Sequence, residues 1–148
     1  MYFRNKLLSS IDIAFLSLLI PNGEVKTCNV MLSSPGSARQ PMHTDANEPR
    51  YSTLAPKYVT VLVPLTPVDI STGTTRVWPG SHRRKRGQVR EEEGVDILHL
   101  DVGDALVFDG SLSHLGTENQ STILERYFFY LAFSNQKEDP NMRLTMEW

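Results

Sequence analysis

The stretch Ile123-Leu124-Glu125-Arg126-Tyr127-Phe128-Phe129-Tyr130-Leu131 decides the fold class. Its apolar residues fall on both alternating faces, as in a strand buried on two sides. Leu124, Arg126, Phe128 and Tyr130 share one of those faces. A guanidinium among such neighbours cannot shed its proton and costs several kcal/mol to bury unpaired. A planar carboxylate gripped by both ends of the guanidinium would satisfy it. Two plainer outcomes are a structural pair with an internal acid such as Glu125, or an arginine that snorkels out at the sheet edge.

Outward from this segment, residues 122–133 read as the longest and most aromatic strand. Upstream, Tyr58-Val59-Thr60-Val61-Leu62-Val63 is β-branched and apolar, the signature of a central strand. Residues 25–32, 75–78, 97–100 and 105–108 read as further short strands, separated by turns at Gly73, Pro79-Gly80 and Gly103-Asp104. Many short strands at close intervals predict an all-β sandwich or barrel. In a jelly roll, strands cross between two sheets and enclose a cavity open at one end.

One helix is expected. Leu7, Leu8, Ile11, Phe15, Leu18 and Leu19 recur at helical spacing, and Pro21-Asn22-Gly23 stops the pattern. A targeting segment is the competing reading of this apolar run, but Asp12 interrupts it and no small-x-small cleavage site precedes Pro21. The predicted organisation is a single domain over 1–148, with a helix in 1–20 and a jelly-roll core in 25–134.

The 148 residues carry a net charge of −2, with 40% hydrophobic and 22% charged residues, an ordinary globular balance. Such a charge gives no pull towards nucleic acid or an anionic membrane, and a monomeric chain is the default expectation. The single cysteine, Cys28, cannot form an internal disulfide and reads as a buried free thiol, so a reducing, cytoplasmic location is expected. Arg83-Arg84-Lys85-Arg86 and Glu91-Glu92-Glu93 read as a solvated loop whose charges neutralise one another; the basic run could instead meet an anionic substrate or act as a nuclear address.

The chemistry centres on Gln40-Pro41-Met42-His43-Thr44-Asp45. In an extended segment His43 and Asp45 point to the same side while Thr44 faces away. An imidazole and a carboxylate at that spacing, with a distant second imidazole, form the facial triad that holds non-haem iron(II) with positions left open. His114 is the candidate for the third ligand; taken alone, it reads as a surface loop histidine. His82 reads as a hydrogen-bonding turn residue and His99, beside Asp101, as exposed.

Taken together, His43, Asp45, His114, Arg126, the Trp78-Pro79-Gly80-Ser81-His82 turn and the Gly103-Asp104 turn resemble the phytanoyl-CoA dioxygenase family of iron(II)/2-oxoglutarate oxygenases. The resemblance runs over residues 25–134 and implies a double-stranded β-helix. It implies that His43, Asp45 and His114 bind Fe(II) and that Arg126 grips the distal carboxylate of 2-oxoglutarate. Asn29 lies where such proteins often place a polar cosubstrate contact, although an ordinary strand hydrogen bond explains it as well. The implied reaction uses dioxygen and releases succinate and carbon dioxide while hydroxylating a small or lipid-like molecule. Related halogenases lack the carboxylate at the position of Asp45, so its presence favours hydroxylation.

Two departures from the family pattern stand out. A serine or threonine usually follows two residues after the distal histidine, whereas Gly116 stands there with Thr117 next, so either a bulge re-aims Thr117 or the cosubstrate grip is weaker. The chain is also short at its N-terminal end for the family, as expected of a truncated product, a compact variant or a reading frame with a misplaced start. These features favour the alternative of a catalytically degenerate jelly-roll binding domain. A metal cupin without a 2-oxo acid has no use for Arg126 in the core.

Overall fold

A computed structural model describes residues 13–46, 56–84 and 87–136. Within those residues one α-helix, α1 (Ile13–Leu19), precedes seven strands: β1 (Glu24–Ser33), β2 (Tyr58–Pro64), β3 (Thr75–Val77), β4 (Val95–Ile97), β5 (Leu106–Asp109), β6 (His114–Gly116) and β7 (Arg126–Ser134). They form a four-stranded sheet in the order β1-β7-β2-β5 and a three-stranded sheet in the order β4-β3-β6. Every named strand pairing is antiparallel. The expected mostly-β, jelly-roll-type architecture is what the chain adopts. Among the described residues, no helix is long and apolar enough to cross a membrane.

The larger sheet is covered on both faces, which explains why β2 and β7 are apolar on both. On one face Val59, Val61, Phe129, Leu131 and Phe133 pack with Leu16 and Ile20 from the helical segment. On the other, Tyr58, Leu62, Phe108, Phe128, Tyr130 and Ala132 pack with Val68 and Leu100. Cys28, expected to be buried, is half-buried beside the first cluster. Of the helix expected in residues 1–20, the stretch Ile13–Leu19 is described, and residues 1–12 lie outside the described part. It stops where Asn22 takes a left-handed turn, φ 58°, inside the expected Pro-Asn-Gly stop.

β7 starts four residues later than the apolar pattern predicts. Asn119 and Ser121 hold the preceding segment in a side-chain-bonded turn. Ser121 Oγ accepts from the Leu124 amide at 2.8 Å, and Asn119 Nδ2 donates to the Leu124 carbonyl at 2.8 Å. Leu124 is therefore exposed rather than aligned with Phe128. The expected strand at 97–100 is displaced upstream, to Val95–Ile97. Across the smaller sheet, Arg76 grips Asp96 through two bonds of 2.7 Å and ties β3 to β4.

Among the described residues the opposite charge blocks meet through Arg84 and Glu93, while Glu91 pairs outside the loop with Arg39 at 2.9 Å. The first contact fits the solvated, self-neutralising loop, and Lys85 and Arg86 lie outside the described residues. So does most of the rim expected at 46–57. His99 is exposed and sits 3.2 Å from Asp101.

Candidate metal centre and carboxylate pocket

His43 and His114 lie 71 residues apart in the sequence, yet their backbones bond directly. The His43 amide donates to the His114 carbonyl at 3.0 Å, and the His114 amide returns the bond at 2.9 Å. This antiparallel bridge puts the two imidazoles on the same side, with ring centroids 4.4 Å apart. Asp45 follows two residues after His43 and joins them. Its segment is pinned by the Ala46 amide, which donates to the Gly110 carbonyl at 2.8 Å. One atom from each of His43, Asp45 and His114 lies within 4.8 Å of the others. Thr44 points away and is exposed, as alternation requires.

Both imidazoles are held from behind in the same way, although their planes are tilted by 53°. His43 Nδ1 lies 2.9 Å from the Pro41 carbonyl, and His114 Nδ1 lies 3.0 Å from the Leu112 carbonyl. A carbonyl can only accept, so Nδ1 carries the proton and Nε2 offers its lone pair to the centre. Those Nε2 atoms face Asp45 Oδ1, at 4.0 Å from His43 and 3.7 Å from His114. Two neutral imidazoles and a carboxylate, each aimed inwards and held from behind, are the donor set that suits a divalent transition metal.

Electrostatics keep this set ready. Burial pushes His114 below its ordinary value of 6.5; the Asp45 carboxylate opposes that shift and His43 adds to it. Metal-free, such a group should make the fold less stable in acid. Below 6.5 the unfolded chain takes up the proton first, so stability falls with pH until the folded imidazole also protonates. We expect a slope approaching about 1.4 kcal/mol per pH unit in that window. Denaturant midpoints between neutral and mildly acidic pH check it, and a His114→Gln variant should flatten the slope. Behind Asp45, burial pushes Tyr58 up to about 12, partly offset by its bond with Tyr130. Tyr130 is raised as well, first by burial and then by Asp45. Both phenols stay neutral hydroxyls.

Arg126 begins β7 and is only 7% exposed, which excludes the snorkelling alternative. Glu125 does not pair with it either: that exposed carboxylate accepts from the Tyr127 hydroxyl at 2.5 Å. Among the described residues, the guanidinium's one hydrogen bond runs from Nη1 to the Thr117 carbonyl at 3.3 Å, and no acid forms an ion pair with it. The Phe128 ring lies beneath it, 5.9 Å from ring centre to Cζ.

Glycines make room for this buried cation. A Cβ on Gly73 would sit 2.3 Å from Arg126 Nη1, and one on Gly116 would sit 3.2 Å from Nη2 and 3.1 Å from Gln40 Oε1. Gln40 Oε1 accepts the Gly116 amide at 2.6 Å, so the carboxamide occupies space that a side chain at 116 would claim. Thr117 is not re-aimed towards the guanidinium. Its hydroxyl accepts from the Thr74 amide at 2.6 Å, and its carbonyl is what meets Arg126. Asn29 pairs with Tyr130 across β1 and β7, which puts it on the site face of the sheet at its exposed edge. Sequence reading passed over two contributors, Gln40 as a partner of Gly116 and Thr60 as a partner of Asp45.

Gly73 gives a sharp test of this packing. Gly73 and Gly80 have nearly the same left-handed backbone, φ +83° and +81°, but a Cβ on Gly80 would meet nothing within 4 Å. Both alanine variants should lose stability through strain, on the order of 1–2 kcal/mol. Gly73→Ala should lose a further 1–3 kcal/mol, roughly, because both the guanidinium and the Glu118 carbonyl, 2.4 Å from the added Cβ, must move. Chemical denaturation of the two variants side by side checks the difference.

Comparison with known proteins fits this geometry. The chain is 32% identical over 107 residues to dioxygenase andF of Emericella variicolor, covering 68% of this chain and 37% of that protein. It is 34% identical over 92 residues to the iron/alpha-ketoglutarate-dependent dioxygenase ausU of Aspergillus calidoustus, covering 59% and 31%. The chain thus spans about a third of the length of the curated relatives it matches. Among solved structures, the non-heme monooxygenase ThoJ in its nickel complex superposes with a TM-score of 0.64 at 28% identity, over 82% of this chain and 48% of that one. EvdO2 from Micromonospora carbonacea var. aurantiaca, complexed with 2-oxoglutarate, shares the fold with a TM-score of 0.62 at 22% identity, over 86% and 59%. The family model for phytanoyl-CoA dioxygenase (PhyH) matches residues 10–126, and the chain belongs to that family.

Proposed function

We propose that this chain carries the core of an Fe(II)- and 2-oxoglutarate-dependent dioxygenase that hydroxylates a small or lipid-like organic molecule, with release of succinate and carbon dioxide. His43, Asp45 and His114 hold the iron, and Arg126 holds the far carboxylate of 2-oxoglutarate. The observation that carries this reading is the buried Arg126 without an acid partner among the described residues. Strand β6 links its pocket to the triad. His114 lies at one end of the strand and Gly116, whose Cβ would touch the guanidinium, two residues on. Two strand residues span about 6.6–6.8 Å, the reach of a short dicarboxylate.

The bound iron supplies oxygen activation coupled to decarboxylation of the 2-oxo acid. The chain's own residues orient and exclude. Arg126 fixes the cosubstrate's direction through charge-assisted bonds, and the Phe128 ring and the Gly73 and Gly116 backbones keep water from the cation. Gln40 adjoins the same pocket, where the family commonly has a hydroxyl side chain at the position of Gly116, which weakens the case for a degenerate binding domain. Asn29, on the site face beside Tyr130, is a candidate polar contact for cosubstrate or substrate. Thr117 contributes its carbonyl to the guanidinium's seat rather than its hydroxyl to the cosubstrate.

Calorimetric titration of 2-oxoglutarate into protein loaded with redox-inert Zn(II) tests the assignment. Saturable one-to-one binding that succinate does not reproduce is the expected result. Equal binding with and without the metal would contradict it.

A further inference from the structure

Thr60 sits at the centre of β2 between Val59 and Val61, with no measurable exposure. A hydroxyl that deep requires a partner. Its Oγ1 donates to Asp45 Oδ2 at 2.5 Å. The other oxygen, Oδ1, is the one that faces the two Nε2 atoms. The carboxylate is therefore divided: one oxygen is held by the strand, and one is presented to the imidazoles.

We propose that Thr60 is a positioning residue that restricts Asp45 to one-oxygen coordination, leaving the remaining metal positions to cosubstrate and oxidant. The inference rests on the metal-site reading above. A carboxylate free to turn could offer both oxygens, and a two-oxygen grip would consume a position that a chelating 2-oxo acid needs on a six-coordinate ion.

Thr60 is itself held in place. Tyr130 is its diagonal neighbour across β2 and β7 on the same face, and the Tyr58 and Tyr130 oxygens lie 3.1 Å apart. The backbone of Thr60 is fixed on both sides, paired with Phe108 of β5 and Ala132 of β7. Phe108 in turn packs edge-on against the His114 ring at 4.7 Å. One strand thus sets the carboxylate by hydrogen bond and, through its neighbour, braces an imidazole by ring contact.

The test is Co(II) binding by the full chain, followed by titration and by visible ligand-field absorption, in the absence of any cosubstrate. Thr60→Val keeps the shape and removes the donor. It should bind Co(II) about 10- to 100-fold more weakly, with a changed band shape that reports altered coordination. Thr60→Ser should match the native chain in both readouts. Native affinity together with a native spectrum in Thr60→Val would overturn the proposal. Should that variant fail to fold, Thr60→Ala is compared with Thr60→Ser, a pair that differs only in the hydroxyl. A weaker, spectrally altered Ala variant supports the proposal and an identical pair overturns it. If the native chain takes up no Co(II), the metal-site reading fails and takes this proposal with it. An unaffected Thr60→Val in a chain that does bind Co(II) removes only the role of Thr60.

Discussion

Asp45→Ala should abolish iron binding at working concentrations, and with it all 2-oxoglutarate turnover, while the metal-free protein stays folded. Outer-sphere partners of a metal ligand typically change affinity about 10- to 100-fold, so losing the only carboxylate of the triad should exceed that range. Two imidazoles and open positions would remain, without the negative charge that offsets a divalent cation. Asp45→Asn separates charge from shape. It keeps an oxygen that can accept from Thr60, so the bond behind it can persist. Its metal affinity should still fall by more than about 100-fold if the carboxylate is a ligand. Equilibrium dialysis with Fe(II) under nitrogen, beside a thermal melt of each metal-free variant, measures both quantities. Native metal uptake by Asp45→Asn would place the ion elsewhere.

Removing the charge at the other end of the pocket should split binding from stability in opposite directions. Arg126→Met takes away a buried cation that no acid neutralises among the described residues. Replacing a buried ion by an apolar side chain of similar volume commonly stabilises a fold, here by about 1–4 kcal/mol. Truncating one partner of a desolvated charge pair costs about 2–5 kcal/mol of binding. That loss corresponds to roughly a 30-fold to several-thousand-fold weaker grip on 2-oxoglutarate, at 1.4 kcal/mol per tenfold. Metal affinity should be unchanged, because Arg126 does not touch the triad. Arg126→Lys keeps the charge but loses the two-pronged fork, and should fall between the native chain and the methionine variant. A variant that melts earlier and still binds the cosubstrate normally would mean that the guanidinium is structural.

The sequence made some of this legible and hid the rest, for identifiable reasons. β2 and β7 announce themselves because a sheet covered on both faces needs apolar residues at every position. The start of β7 was misread because Ile123 and Leu124 continue the apolar pattern, while Asn119 and Ser121 bend the backbone with side-chain bonds that hydrophobicity does not register. His43 and Asp45 are readable by their period of two. His114 is not, since only the backbone bridge to His43 makes it a neighbour. Arg126 stood out as a charge in an apolar run, and burial distinguishes it from an edge arginine. Thr60 was concealed by its own suitability, because a β-branched residue in a strand invites no further question. Gln40 lies three residues before His43, yet its contact with Gly116 depends on a strand far along the chain.

The most direct measurement is the visible spectrum of the Fe(II)-loaded chain as 2-oxoglutarate is added without oxygen. Chelation of iron by the 2-oxo acid gives a weak metal-to-ligand charge-transfer band. The account predicts that this band rises to saturation in the native chain, needs far more 2-oxoglutarate in Arg126→Met, and does not form in Asp45→Ala. A native chain that holds iron yet shows no band at any 2-oxoglutarate concentration would contradict it.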